Sequence, residues 1–219
     1  MSDFRLNRVL STPLTRLLIK TPLKPNQITC LSLAFGLLAV FFFSKGGYLL
    51  SLTAAACYQM AVVLDNCDGE VARAKNMRSR FGGWLDIVSD LVTDTALFLG
   101  VAAGMKRQVA SGPVDLFLLL CLTGAFMHFF MVAFEKIKGF GPAVYEAPHP
   151  DPHKRKNVFL TVFDAFREGD VSWLVLILAV IGQTQFLIWG GGIYMQVLWV
   201  SAVLINFRWL FPKKGSQSA

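Results

Sequence analysis

The chain has 219 residues, of which 54% are hydrophobic and 16% are charged. A soluble globular domain carries about 25% charged residues, and with a mean hydropathy of +0.52 this composition excludes an ordinary water-soluble enzyme. The net charge of +7 could suit nucleic acid in another context. In so apolar a chain it favours an anionic lipid surface, and we expect no nucleic-acid partner.

The N-terminal 24 residues form a juxtamembrane segment of their own. Apolar residues recur there at helical spacing with arginines between them, which is typical of an amphipathic helix lying in the membrane interface; they are Leu6, Val9, Leu10, Leu14, Leu17 and Leu18. We expect Pro13 to break or kink this helix. An ordinary cytoplasmic tail is the alternative. The segment lacks the pattern of a removable signal peptide, so the first span is expected to remain as an anchor.

Six long apolar blocks follow, the pattern of helices that cross a bilayer. The predicted spans are 26–44, 48–72, 82–105, 114–134, 171–185 and 186–211, and the boundary between the last two, at residues 183–185, is the least sharply marked. We therefore expect an all-α integral membrane protein. It would have a six-helix membrane domain over 25–212, preceded by the segment 1–24 and followed by a tail over 213–219.

The basic residues predict the orientation of these spans. With six spans, 18 of the 21 Lys and Arg residues lie on one side, and only Lys45, Lys106 and Arg107 lie on the other. Because Lys and Arg near span ends stay in the cytoplasm, both termini are expected there, in a cell or cytoplasmic membrane.

Five aspartates stand where a membrane helix should carry no charge. Asp65 and Asp68 end the second span, and Asp86, Asp90 and Asp94 follow one another in the third. Each ionisable group in a span costs about 2.5 to 3.5 kcal/mol on insertion, so such groups indicate function. Spacings of three and four residues place each set on one face of its helix.

These two acidic faces are expected to meet near the cytoplasmic surface. A polar linker of nine residues, 73–81, joins the two spans, and so short a connection makes them antiparallel neighbours. Converging carboxylates repel one another at low dielectric unless cations lie between them. Hard oxygen ligands favour Mg²⁺ or Mn²⁺, and the number of carboxylates suits two ions.

Small residues and one arginine surround the acids. Gly69 and Ala72 precede Arg73 in the second span, and Gly82 begins the third. Small side chains let a ligand approach the backbone, and a guanidinium presents a fork that matches phosphate. An acidic metal site beside an arginine indicates a nucleotide or pyrophosphate substrate, bound through the metal ions.

These residues carry a resemblance to a known family. Residues 65–73 read Asp-Asn-Cys-Asp-Gly-Glu-Val-Ala-Arg and are followed at fixed spacing by Gly82, Asp86 and Asp90. This stretch resembles the motif of the CDP-alcohol phosphotransferases (CDP-alcohol phosphatidyltransferases) at all eight defining positions. The six spans and the amphipathic N-terminal helix resemble the same family across most of the chain.

The resemblance implies an enzyme that moves the phosphatidyl group of a CDP-linked lipid, such as CDP-diacylglycerol, to the hydroxyl of a polar alcohol and releases CMP. By motif position Asp90 would be the general base, and the metal ligands would be Asp65, Asp68, Asp86 and Asp90. The CDP site would comprise Asp65, Asp68, Gly69, Ala72, Arg73 and Gly82. The family resemblance also implies a homodimer.

The acceptor is a separate question. Basic residues near the cytoplasmic span ends favour a phosphorylated polyol, glycerol phosphate or inositol phosphate, and the candidate contacts are Lys136, Arg155 and Arg167. Membrane topology and lipid headgroups also account for such residues. An amino alcohol such as serine is the alternative acceptor.

Asp94 lies outside the motif, one turn deeper than Asp90. It could tune Asp90, but we favour a structural role in which a polar group of a neighbouring helix satisfies it.

Two rival functions remain at this point. An ion-coupled transporter would also carry intramembrane acids, although its site should lie near the bilayer midplane. A scaffold protein derived from the family is the other rival, and the four intact motif acids argue against it.

Overall fold

All regular structure in the described residues, 6–108, 113–137 and 171–210, is α-helical in a computed structural model of the chain. The predicted all-α fold class is confirmed. The helices are α1 (Leu6–Ile19), α2 (Pro25–Lys45), α3 (Tyr48–Ala74), α4 (Arg80–Gln108), α5 (Val114–Ile137), α6 (Val171–Val180) and α7 (Phe186–Leu210).

Four of these helices, α2 to α5, are long and apolar enough to cross a membrane. The apolar parts described for α6 and α7, Val171–Val180 and Phe186–Val200, are shorter. The predicted end of the fifth span at residue 185 is wrong, because α6 ends at Val180 and a turn follows. Gly182 has a φ of 72° in this turn, a conformation that glycine adopts without strain.

The helices pack around α2 and α3. α2 packs against both α3 and α4, α5 packs against α7, and α6 packs along α3. The Tyr48 hydroxyl at the start of α3 donates a hydrogen bond of 3.0 Å to the carbonyl of Val180 at the end of α6. Helix α4 approaches α2 closely at glycine: a Cβ at Gly100 would lie 2.8 Å from the carbonyl oxygen of Val40. Small residues allow such close approach between membrane helices.

The connection between α3 and α4 is shorter than predicted. Helix α3 continues to Ala74 and α4 begins at Arg80, so the linker is 75–79 rather than 73–81. Lys75 anchors this linker, because its Nζ donates to the carbonyls of Thr21 and Leu23 at 2.7 and 2.8 Å. The link between α1 and α2 is thereby tied to the end of α3.

Helix α1 runs along α3 and is not broken at Pro13. Proline leaves the carbonyl four residues earlier without its helical donor. That carbonyl belongs to Val9, which is exposed and can interact with the surroundings. The stripe of α1 that faces the protein is polar, and its buried members are Asn7, Ser11 and Thr15. Its exposed face carries Val9, Leu10 and Leu17.

Candidate active site

Three of the predicted acids meet at the end of α3 and the beginning of α4. Asp65 and Asp68 on α3 and Asp86 on α4 each offer one carboxylate oxygen, and these three oxygens lie within 4.8 Å of one another. Two oxygens bound to one Mg²⁺ are at most about 4.2 Å apart. Small side-chain adjustments would therefore bring this group around a cation.

The hydrogen bonding of Asp65 fits a cation as well. Its Oδ1 atom is buried and has no hydrogen-bond partner within the described part of the chain. A buried carboxylate oxygen without a donor is unfavourable unless a positive charge compensates it. The residues present therefore suit a hard divalent cation, which prefers carboxylate oxygen.

Asp68 is held by a residue of α2. Its side chain is 6% exposed, and the buried Thr29 hydroxyl donates a hydrogen bond to its Oδ2 atom. The packing of α2 against α3 makes this contact possible. One oxygen of the Asp68 carboxylate is thus oriented by α2.

Asp90 does not join the group of three oxygens. It lies one helical turn beyond Asp86 on α4, and its side chain is accessible from outside the protein.

Asp94 has the kind of partner that was predicted for it. The Tyr58 hydroxyl of α3 donates a hydrogen bond of 3.2 Å to Asp94 Oδ1. This contact joins α3 and α4 below the acidic group and confirms that a polar group of a neighbouring helix satisfies Asp94.

The small motif residues lie on both sides of the acids. A Cβ at Gly69 would lie 3.4 Å from Nη1 of Arg73, so the exposed guanidinium passes over this glycine. On the opposite side a Cβ at Gly82 would lie 2.9 Å from Oδ1 of Asn26 and 3.0 Å from Oγ of Ser79. Ala72 is half-buried one residue before Arg73.

The acceptor candidates fall largely outside the described residues. Arg155 and Arg167 belong to the segment 138–170, which the structure does not describe. Lys136 lies in α5, but its side chain is likewise outside the description.

The sequence analysis missed several polar residues around the acids, namely Asn26, Thr29, Tyr58 and Glu70. Thr29 and Tyr58 could have been found by a rule already applied to the acids, because polar groups inside apolar spans tend to have partners. Glu70 is hydrogen bonded by the hydroxyls of Ser11 and Thr15 on α1, at 3.3 and 2.6 Å. No local pattern in the sequence identifies these partners.

Two named synthases are similar in sequence to this chain. A bifunctional IPC transferase and DIPP synthase of Archaeoglobus fulgidus is 36% identical over 110 residues, which are 49% of this chain and 21% of that protein. The phosphatidylinositol phosphate synthase of Mycobacterium tuberculosis is 32% identical over 117 residues, 52% of this chain and 51% of that protein. The matches thus span between a fifth and a half of these relatives' length.

A solved structure shows the same fold. The crystal structure of the Mycobacterium tuberculosis phosphatidylinositol phosphate synthase in apo form superposes with a TM-score of 0.56 at 21% identity, covering 88% of this chain and 95% of that one. The family model described as CDP-alcohol phosphatidyltransferase matches residues 23–181. This range is most of the chain and contains the whole acidic motif, so the protein belongs to the CDP-alcohol phosphatidyltransferase family.

Proposed function

We propose that this protein transfers the phosphatidyl group of a CDP-linked lipid, such as CDP-diacylglycerol, to the hydroxyl of a polar alcohol and releases CMP. The observation that carries the proposal is the meeting of the carboxylates of Asp65, Asp68 and Asp86 from two helices. They lie at the ends of two apolar helices beside Arg73, where a lipid-linked pyrophosphate could reach them from the membrane.

Asp65, Asp68, Asp86 and Asp90 are the proposed ligands of two divalent cations, Mg²⁺ or Mn²⁺. Bound there, the cations would neutralise the pyrophosphate and stabilise the charge on the departing CMP. The orphaned Oδ1 of Asp65 and the oriented carboxylate of Asp68 support this assignment.

The nucleotide would bind along the surface between the two motif halves. Gly69, Ala72 and Gly82 leave room for it near the backbone, and Asp65 and Asp68 approach it through the metal site. The Arg73 guanidinium, which is exposed above Gly69, can form paired hydrogen bonds to phosphate oxygens.

Asp90 is the proposed catalytic base. Its accessible carboxylate would accept the proton of the acceptor hydroxyl as the acceptor oxygen forms a bond to the lipid-side phosphorus. The bond from that phosphorus to the bridging oxygen breaks, and CMP leaves with the electron pair. The proton stays on the Asp90 carboxyl until solvent removes it.

The proposed acceptor is a phosphorylated polyol. The name of the relative from Mycobacterium tuberculosis, phosphatidylinositol phosphate synthase, favours inositol phosphate over glycerol phosphate. Lys136, Arg155 and Arg167 are the proposed contacts of the acceptor phosphate. A serine-type amino alcohol is the alternative acceptor.

The proposed topology has six spans, α2 to α7, with both termini and the acidic site in the cytoplasm. The segment 1–24 would lie at the membrane surface, 25–212 would form the membrane domain, and 213–219 would be a tail. We also propose a homodimer. The exposed apolar face of α1, which includes Val9, Leu10 and Leu17, supports its placement against lipid.

A CMP-release assay tests the function. The purified protein in nanodiscs, with Mg²⁺ or Mn²⁺ and CDP-diacylglycerol, should release CMP with inositol phosphate and much less with glycerol phosphate or serine. The matched control is Asp86→Asn, which removes one carboxylate of the acidic group and should be inactive. No CMP release with any acceptor would refute the proposal, and ion uptake into proteoliposomes would then support a transporter.

A further inference from the structure

Glu70 stands inside the acidic motif but makes its contacts on another helix. Thr15 of α1 donates a hydrogen bond of 2.6 Å to Glu70 Oε2, and Ser11 donates one of 3.3 Å to Oε1. Both α1 residues are buried, at 6% and 0% exposure. Both carboxylate oxygens of Glu70 are therefore engaged by α1.

The geometry of an α-helix places this contact on the face of α3 opposite to the face that carries Asp68. Glu70 follows Asp68 by two residues, which corresponds to about 200° around the helix axis. Thr29 of α2 holds Asp68 on one face of α3, and α1 holds Glu70 on the other. A buried contact on one face and a partly buried contact on the opposite face resist rotation of α3 about its own axis.

Such a rotation would matter to the metal site. A carboxylate lies about 5 to 6 Å from the helix axis, so a rotation of about 20° would move its oxygens by about 2 Å. Metal ligands must keep their distances to within about 0.2 Å. Small changes in the orientation of α3 would therefore displace Asp65 and Asp68 from their shared cation.

We propose that Glu70 is a positioning residue, through which α1 fixes the turn of α3 that carries Asp65 and Asp68. The inference rests on the proposed function, because it gives α1 a role in orienting the ligands of the same metal site. Both carboxylate oxygens of Glu70 are engaged by α1, so its effect on the metal site would pass through α3.

The interface of α1 with α3 extends this fixed region beyond Glu70. Gln59 Nε2 donates a hydrogen bond of 2.8 Å to Asn7 Oδ1 at the beginning of α1, and the Cys67 thiol lies 3.5 Å from the carbonyl of Ser11. Val71, on the same side of α3, is fully buried. The contacts of Cys67 and Glu70 with α1 lie on either side of Asp68 in the sequence of α3.

The first readout is Mn²⁺ binding, measured by electron paramagnetic resonance on the full-length protein in nanodiscs. Outer contacts of a metal site change affinity by about 10- to 100-fold, and because Glu70 acts through the helix we expect the low end, about tenfold, for Glu70→Ala and for Thr15→Val. Their double variant should lose no more than Glu70→Ala alone, since Glu70→Ala already removes the contact with Thr15. Glu70→Gln keeps an acceptor oxygen for Thr15 and should stay within about threefold of the parent.

Thr12→Val is the matched control, because Thr12 lies on α1 but is exposed. It should leave Mn²⁺ affinity unchanged. The proposal is overturned if Glu70→Ala and Thr15→Val retain the parent affinity, or if Thr12→Val loses as much as Thr15→Val does. If Glu70→Ala fails to fold, Thr15→Val decides: parent affinity in Thr15→Val overturns the proposal, as does a loss in Glu70→Gln that equals the loss in Thr15→Val.

A second readout separates this inference from the proposed function. In the CMP-release assay the Mg²⁺ concentration for half-maximal rate should rise for Thr15→Val, while the rate at saturating Mg²⁺ stays within about threefold. A parent protein that releases no CMP refutes the function. An active parent whose Thr15→Val variant shows an unchanged Mg²⁺ requirement refutes the role of Glu70.

Discussion

The hydrogen bond from Thr29 to Asp68 gives the sharpest prediction about the metal site. Replacing Thr29 by Val removes the hydroxyl but nearly preserves the shape of the side chain. Thr29 is buried between α2 and α3, so no rearrangement at a surface can supply another donor. Asp68 Oδ2 would then lack the Thr29 hydroxyl that donates to it.

The expected size follows from the contact that is lost. A hydrogen bond to a charged group contributes about 1.5 to 3 kcal/mol, and 1.4 kcal/mol corresponds to a tenfold change in an equilibrium constant. Loss of the bond should therefore weaken cation binding by about 10- to 100-fold, the range observed when outer partners of metal ligands are removed. The methyl groups of Val fill the former position of Thr, so we expect little cavity formation.

Mn²⁺ titration of the Thr29→Val variant in nanodiscs measures this change, and the Mg²⁺ dependence of CMP release should shift with it. Thr29→Ser retains a hydroxyl and should restore affinity. Thr53→Val is a matched control, because the Thr53 hydroxyl bonds at 2.9 Å to the carbonyl of Leu49 on its own helix. The reasoning fails if Thr29→Val binds Mn²⁺ as tightly as the parent, or if Thr53→Val is equally impaired.

Three further variants test other parts of the site and the fold. Asp90→Asn should lower turnover by about 10²- to 10⁴-fold, as expected for loss of a general base, and a binding assay should show CDP-lipid affinity retained; lost binding with retained turnover would contradict the role. In Gly69→Ala the added methyl group makes only an ordinary contact with Arg73 in the free protein, so the melting temperature should be unchanged. CDP binding should weaken by about tenfold, or 1.4 kcal/mol. Unchanged CDP affinity by calorimetry would remove Gly69 from the CDP site. Gly100→Ala places a methyl group 2.8 Å from the carbonyl oxygen of Val40. It should lower the free energy of unfolding, measured in a detergent titration, by about 1 to 3 kcal/mol. Gly190→Ala is the control, because its methyl group would meet nothing within 4 Å, and it should not lower the free energy of unfolding.

The helical layout could be predicted from the sequence because it depends on local patterns. Apolar blocks of span length, interrupted by glycine and proline, mark where each helix begins and ends, so the six predicted blocks fall on α2 to α7. The errors occurred at turns. The end of α6 at Val180 depends on the positive φ of Gly182, and an apolar block that runs past residue 180 hides this turn.

The group formed by Asp65, Asp68 and Asp86 could also be predicted from the sequence. Asp65 and Asp68 share a helix face by their spacing, and the short linker brings Asp86 to them. Both the shared face of Asp65 and Asp68 and the approach of Asp86 depend on residues that are close together in the chain. The prediction needed no knowledge of how α2 or α1 packs.

The contacts that orient the acids depend on packing between distant segments, and the sequence could not reveal them. Thr29 and Asp68 are 39 residues apart, and Thr15 and Glu70 are 55 apart. In α1 the leucines dominate the pattern and direct attention to the exposed face, which carries Leu10 and Leu17. The buried face is the polar stripe, and that stripe meets Glu70. Spacing within the chain therefore identifies which residues can bind the cation, while the packing of α1 and α2 against α3 determines whether those residues are held in a geometry that can bind it.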